Sequence, residues 1–208
     1  MESVLNTHSL CPTCCSPGVA SHVEGESLLH GTHQLAQSAD VFTYPNARYV
    51  RTISGVAVVN LHGCMTPEQR KALVAFWLTS GAIADEQTAL QRTNEVVHLG
   101  INAHDHIVAV NTCYVAMFDA GSGPLPYWFY RQFVHPRARN VSLMLALVRM
   151  TVGYLAKLAT ERKTPRSLAM YLENPKLYKR SGQRALSWLN MKLAAKDSSG
   201  REVWTREF

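Results

Sequence analysis

The sequence predicts an α/β fold: a mixed, mostly antiparallel central sheet flanked by helices on both faces. Three observations predict it. Strand-like and helix-like segments alternate along the chain instead of segregating. Three consecutive strand candidates are joined by short turns, which suits antiparallel pairing. A long segment that is apolar nearly all round then leads into another strand, giving a strand–helix–strand unit with a buried crossover helix. The 208 residues are 47% apolar and 17% charged, enough to fill one sizeable core. Residues 1–50 read as an N-terminal arm, partly irregular, and residues 51–208 as the folded domain.

Each element has a local reason. The arm is rich in Ser, His, Gly and Thr, with a short helix expected near Ser27–Gln37. Residues 41–60 become strand-like, and Val56-Ala57-Val58-Val59 is a β-branched run between Gly55 and Gly63. Thr66-Pro67-Glu68-Gln69 is a helix start: Thr66 caps, Pro67 fits the first helical position and Gln69 completes a capping box. That helix carries Leu73, Val74, Phe76, Trp77 and Leu78 and stops near Gly81. Asp85 caps a second helix reaching Arg92. Strands are expected over Glu95–Asn102, His106–Phe118 and Tyr127–Val134, with turns at Ala103-His104-Asp105 and Gly121-Ser122-Gly123-Pro124. Pro136 ends the third. Residues 141–160 form the buried helix. Ser167–Leu172 is a short strand, Pro175–Arg180 is helix-like, and Arg184–Leu193 holds another strand or helix. The expected total is six strands.

The charge balance is 21 basic against 15 acidic residues, or +6. It favours anionic partners without choosing among them. Glu2 and the lack of an apolar run argue against a secretory signal. Residues 141–159 resemble a membrane span, but Arg149 at its centre costs roughly 2.5–3.5 kcal/mol on insertion, and Lys157 adds to that, so no membrane span is expected. Five cysteines, with Cys11, Cys14 and Cys15 crowded together, do not make a disulfide framework. A reducing, cytoplasmic setting follows.

Two motifs carry chemistry. The first is Tyr130-Arg131-Gln132-Phe133-Val134-His135-Pro136-Arg137-Ala138-Arg139, a strand ending at Pro136 before an arginine-rich turn that opens the long helix. Unpaired N–H groups at a helix N-terminus attract phosphate, and Arg137 and Arg139 add charge at the same place. The second is Asn174-Pro175-Lys176-Leu177-Tyr178-Lys179-Arg180-Ser181-Gly182. Together with the element order, these resemble the GNAT superfamily of acetyl-CoA-dependent N-acyltransferases over about two thirds of the chain, roughly residues 55 to 195. The family's phosphate turn reads Arg/Gln-x-x-Gly-x-Gly/Ala. Here it aligns with Arg139-Asn140-Val141-Ser142-Leu143-Met144, so Ser142 and Met144 replace the glycines. The second motif resembles the family's fourth helix, with Gln183 in place of its phenylalanine.

The resemblance implies direct acyl transfer from coenzyme A to an amine. Acetyl-CoA is then the co-substrate, held by Phe133, Val134, His135, Arg137, Arg139, Asn140, Val141, Ser142, Leu143, Met144 and Asn174. Backbone N–H groups near Phe133–His135 would polarise the thioester carbonyl. Tyr178 would protonate the departing thiolate. Glu95 and His135 are candidates for the base that takes the amine proton. The acceptor, whether small molecule, protein or RNA, is not legible.

Other residue groups carry other readings. Cys11, Cys14, His30 and His33 have zinc-ligand types, but little apolar sequence between them makes a core. Cys14-Cys15 is a candidate lipidation pair. His98, His104 and His106 lie near one hairpin and would have to converge to bind a metal; none is expected. Tyr127, Trp128, Phe129, Tyr130 and Phe133 beside Arg131, Arg137 and Arg139 suggest a stacking platform for nucleic acid or a packed core. Lys176, Lys179, Arg180 and Arg184 read as a solvated basic face. The alternatives to an enzyme are a GNAT-like binding or assembly module without catalysis, and a nucleic-acid-binding domain.

Overall fold

The computed structural model of the chain describes residues 48–121, 123–161 and 165–208. The helix expected near Ser27–Gln37, and Cys11, Cys14, Cys15, His30 and His33, lie outside them. The strands are β1 (Arg48–Ile53), β2 (Val56–Asn60), β3 (Val96–Ile101), β4 (Ile107–Asp119), β5 (Pro124–Val134), β6 (Ser167–Tyr171), β7 (Lys192–Lys196) and β8 (Glu202–Glu207). The α-helices are α1 (Pro67–Thr79), α2 (Glu86–Arg92), α3 (Val141–Glu161) and α4 (Arg180–Trp188). One eight-stranded sheet results, in the order β1-β2-β3-β4-β5-β6-β8-β7. Among the described residues only β5 and β6 pair in parallel; every other neighbouring pair is antiparallel.

The start of α1 follows from its residues. Thr66 Oγ1 accepts from Gln69 N at 3.3 Å, and Gln69 Oε1 accepts from Thr66 N at 2.9 Å. Asp85 caps α2 by accepting from Thr88 N at 2.7 Å. Both caps satisfy N–H groups that the helix itself leaves open. Helices α1 and α2 cover one face of the sheet, where Leu73, Trp77 and Ala89 meet Leu99 and Val110. Helices α3 and α4 cover the other, where Leu147, Val152 and Leu186 lie over Val58, Trp128 and Leu168. Helix α3 has the length and apolarity of a membrane span. Its Leu143, Leu147, Leu155 and Thr151 are fully buried against the sheet, as in the crossover helix of a βαβ unit.

The structure adds two strands to the six expected. The strand-like stretch before residue 60 is a hairpin, β1–β2, turned by Ser54 (φ 50°) and Gly55 (φ 77°). Two successive positive φ values match the turn that suits the twist of a hairpin. Strand β8 was not foreseen: its six residues, Glu-Val-Trp-Thr-Arg-Glu, show no period-two alternation, and its place between β6 and β7 is tertiary. The ambiguous stretch Arg184–Leu193 resolves into the end of α4 and the start of β7. Pro175–Tyr178 is one 3-10 turn. Gly182 lets α4 begin directly against it, since a Cβ there would lie 2.4 Å from the Leu177 Cα.

Candidate functional site

Strands β5 and β6 pair only at Trp128 with Leu168 and at Phe129 with Ala169. Beyond that rung the two strands part, leaving a gap in the middle of the sheet. On its other side β5 stays paired to β4 in one unbroken register from Pro124 to Val134. His135 N continues that register, donating to Val108 O at 2.8 Å. Hydrogen-bonded positions alternate along an antiparallel pair. The N–H groups of Arg131, Phe133 and His135 therefore point at β4, and those of Gln132 and Val134 point into the gap. This corrects the expected set of polarising amides: of Phe133, Val134 and His135, only Val134 presents its N–H there. The Phe133 side chain faces α1, its ring 5.7 Å from that of Phe76.

The start of α3 lies just beyond the end of β5. Pro136–Ala138 forms a 3-10 turn, and His135 Nδ1 accepts from Arg137 N at 3.3 Å. Arg139 Nε donates to Val134 O at 3.2 Å, tying its guanidinium to the strand end. Asn140 caps the helix: its Oδ1 accepts from Ser142 N at 2.7 Å and Leu143 N at 3.4 Å, while its carbonyl accepts from Met144 N. The turn thus closes on its own asparagine, which holds amides that a glycine turn would leave open. Arg137, Arg139, Asn140, Val141 and Ser142 are exposed, whereas Leu143 is buried in the core and Met144 packs on it. A cleft of about 650 Å³ borders this turn, walled also by Ser54, Phe76, Thr79, Asn102 and His106. Among the described residues its lining includes Arg137, Arg139, His106 and His135 but no carboxylate, a donor set that fits phosphate.

The remaining expected residues are distributed around the gap. Tyr178 donates its hydroxyl to Leu172 O at 2.7 Å, which places the phenol at the end of β6, the far wall. Asn174 Oδ1 caps the 3-10 turn below it, accepting from Lys176 N at 3.0 Å. Glu95 ends a 3-10 turn immediately before β3, on the α1–α2 side of the sheet. Its carboxylate lies 3.5 Å from Arg131 Nη1, an ion pair without a hydrogen bond. Burial raises its pKa, and the charges of Arg131 and Arg92 oppose the rise. The Arg131 guanidinium also stacks 4.1 Å above the Tyr114 ring.

Two other groupings look different in three dimensions. His98 is buried under α3, whereas His104 and His106 sit on the exposed turn with their rings 6.4 Å apart, so the three do not converge. Among the described residues, no group of three or more His, Cys, Asp or Glu side chains is placed to hold a metal ion. Tyr127, Trp128, Phe129 and Tyr130 are all buried, so both faces of β5 are core there. Lys176, Lys179, Arg180 and Arg184 are exposed.

One constellation was not found from the sequence. Asn60, His98, Asn111 and Gln132 are direct cross-strand neighbours on β2, β3, β4 and β5. They form a polar row beneath α3 that ends at the gap. Asn60 Nδ2 lies 3.3 Å from His98 Nε2, and His98 Nδ1 lies 3.1 Å from Thr151 Oγ1. Asn111 Nδ2 donates to Thr151 Oγ1 at 2.7 Å, and Asn111 Oδ1 accepts from His98 N at 2.9 Å. Next to the row's first member, His62 N donates to Asn60 Oδ1, and His62 Nδ1 lies 2.9 Å from the Tyr154 hydroxyl. At its far end the Tyr130 hydroxyl donates to Gln132 Oε1 at 2.6 Å.

No family model matches the sequence, and no curated protein matches it. Solved structures do match. One is a GNAT superfamily phosphinothricin acetyltransferase from Sinorhizobium meliloti in complex with AcCoA: 11% identity, TM-score 0.51, 74% of this chain and 89% of that one. A second is a GNAT family acetyltransferase from Streptococcus pneumoniae: 10% identity, TM-score 0.51, 74% of this chain and 99% of that one. A third is a ribosomal-protein-S5-alanine acetyltransferase from Vibrio fischeri: 10% identity, TM-score 0.51, 76% of this chain and 95% of that one. At these identities the likeness is one of fold. The mixed, mostly antiparallel eight-stranded sheet with its helices agrees with it, and the chain has the GNAT fold in a widely diverged sequence.

Proposed function

We propose that the protein is an N-acyltransferase that moves an acetyl group from coenzyme A to an amine by direct attack. The observation that carries this reading is the gap between β5 and β6 lying beside an arginine-bearing helix start. The gap offers two backbone N–H groups, from Gln132 and Val134, about 7 Å apart along β5, to the extended arm of one ligand. The start of α3 offers Arg137, Arg139 and the positive end of the helix dipole to phosphates. In the acetyl-CoA complex of this reading, the phosphates sit by Arg137, Arg139 and residues 140–144, and Asn140 yields the Ser142 amide to them. The acyl arm runs along Phe133, Val134 and His135, and Asn174 supports the far wall.

The amine nitrogen attacks the thioester carbonyl carbon, and the carbonyl oxygen takes the negative charge against the Val134 N–H. Collapse breaks the carbon–sulfur bond and leaves the amide and the thiolate of coenzyme A. Tyr178 protonates that thiolate. Glu95 takes the amine proton; its raised pKa makes it the better base, and it sits on the side of the sheet opposite α3, where an acceptor can approach. His135 is the second candidate. The reaction belongs to the cytoplasm, the compartment that the cysteine usage favours. A second reading is favoured by one observation. The Asn140 cap holds the Ser142 and Leu143 amides, as in a GNAT-like module that no longer binds the co-substrate.

Thermal unfolding with and without millimolar acetyl-CoA separates the two. A ligand bound only by the folded state stabilises it, and at a hundredfold excess over Kd the midpoint should rise by about 5–10 °C. Arg139→Ala should remove most of that rise. An unchanged midpoint in both proteins would leave the binding-module reading in its place.

A further inference from the structure

We propose that Gln132 is a binding residue for the acyl-CoA co-substrate. Its side-chain N–H₂ donates to a carbonyl oxygen of that ligand in the β5–β6 gap, and Tyr130 holds the amide in that orientation. The proposal rests on the acyltransferase reading above.

Three observations place the group. Gln132 stands on β5 just past the last rung shared with β6, and its own backbone N–H faces the gap. Its Nε2 is buried and has no hydrogen-bond partner. Its Oε1 accepts from the Tyr130 hydroxyl at 2.6 Å. An amide N–H₂ left unpaired inside a protein is costly, and such groups are retained where a ligand completes them. Among the described residues, the other buried donor without a partner on β5 is Nε1 of Trp128, a residue of the last rung before the gap.

The orientation of the amide is fixed from behind. Asn111, the cross-strand neighbour of Gln132, stands beside the Tyr130 phenol, and burial holds that phenol protonated. Its one proton goes to Gln132 Oε1, so the glutamine oxygen faces Tyr130 and the nitrogen faces away. Asn111 is itself held by His98 N and Thr151. The row from Asn60 to Asn111 is therefore a scaffold that ends in one aimed donor. A donor of this kind selects an acceptor. Phosphates are taken by the arginines at the start of α3, whereas the acyl arm of coenzyme A carries amide and thioester carbonyls. An uncharged carbonyl suits an uncharged N–H₂ in a site that excludes water.

The test is calorimetric titration of the full-length protein with acetyl-CoA, coenzyme A and adenosine 3′,5′-bisphosphate, which lacks any carbonyl. Gln132→Met should weaken acetyl-CoA about tenfold and leave the bisphosphate unchanged. An equal loss for coenzyme A supports the proposal and assigns the contact to an amide of the arm; an unchanged coenzyme A supports it and assigns the contact to the thioester. Gln132→Glu keeps the volume and the acceptor for Tyr130 but lacks the N–H₂, so its loss should match. Tyr130→Phe should weaken acetyl-CoA about threefold alone and add nothing to Gln132→Met, as coupled residues do. Wild-type affinity for acetyl-CoA in Gln132→Met overturns the proposal, and independent, additive losses overturn the role given to Tyr130. A wild-type protein that binds none of the three probes overturns the acyltransferase reading, and this proposal with it.

Discussion

His98 is the innermost of the five described histidines, and its hydrogen bonds fix where its proton sits. Thr151 Oγ1 donates its one proton to Leu147 O at 2.9 Å, so it must accept from His98 Nδ1. Asn60 Oδ1 already accepts from His62 N, so Asn60 Nδ2 donates to His98 Nε2. The ring is neutral, protonated at Nδ1. Burial lowers its pKa from 6.5 to about 4; the bond to Asn111 opposes this, and the charge of His62 adds to it. The sign for stability follows. Between about pH 4 and 6.5 the unfolded chain binds a proton that the folded one excludes. The His98 contribution is thus complete above about pH 6.5 and is lost as pH falls towards 4, a total of about 3 kcal/mol. Glu95 works in the opposite sense, since its carboxyl is raised and favours the folded state in acid. Urea unfolding of wild type and His98→Gln at pH 7.5, 6 and 5 isolates the histidine. The wild type should lose more stability than the variant over that range; parallel losses would refute the neutral buried ring.

At the scale of elements, the meeting of the 3-10 turn Pro175–Tyr178 with α4 holds Tyr178 in place. The turn carries the phenol, and α4 starts two residues later with Gly182 pressed on Leu177. A methyl group at position 182 would meet the Leu177 Cα, carbonyl oxygen and carbonyl carbon at 2.4, 2.6 and 2.8 Å. These are backbone atoms, so no side-chain rotation relieves the contact; turn and helix must move apart. Gly182 is helical, and alanine is the better helix former by about 1 kcal/mol, so local propensity alone predicts a more stable variant. The overlap predicts the reverse, a loss of about 1–3 kcal/mol as for other overpacked sites. Equilibrium unfolding of Gly182→Ala decides between them, and a variant as stable as wild type would show that the turn is free to shift. The spacing from Tyr178 to Gly182 was visible in the sequence. Its cause, a close backbone approach, was not, because Leu177 and Gly182 meet only once the turn is formed.

At the scale of the molecule, what the sequence shows and what it hides divide along the same line. Local signals gave the order of elements: the capping box at Thr66, the apolar run of α3 and the aromatic strand β5. The helix start at Arg137–Met144 was legible because its residues are contiguous. The row Asn60, His98, Asn111 and Gln132 was not, since only strand register brings those positions together. Nor was the direction of the β5 amides, which depends on which residues bond to β4. That direction yields the last expectation. With β6 diverging, the amides of Gln132 and Val134 face an open gap while those of Arg131 and Phe133 are locked in the ladder. Amide exchange tracks such local protection. In the free protein, residue-resolved exchange by NMR should show Gln132 and Val134 at least about tenfold faster than Arg131 and Phe133. Acetyl-CoA should slow the fast pair and leave the others alone, because a ligand carbonyl takes the place that β6 leaves empty. Equal protection of all four in the free protein would mean that the gap is closed in solution. Fast exchange that acetyl-CoA binding does not slow would mean that the thioester lies elsewhere on the sheet.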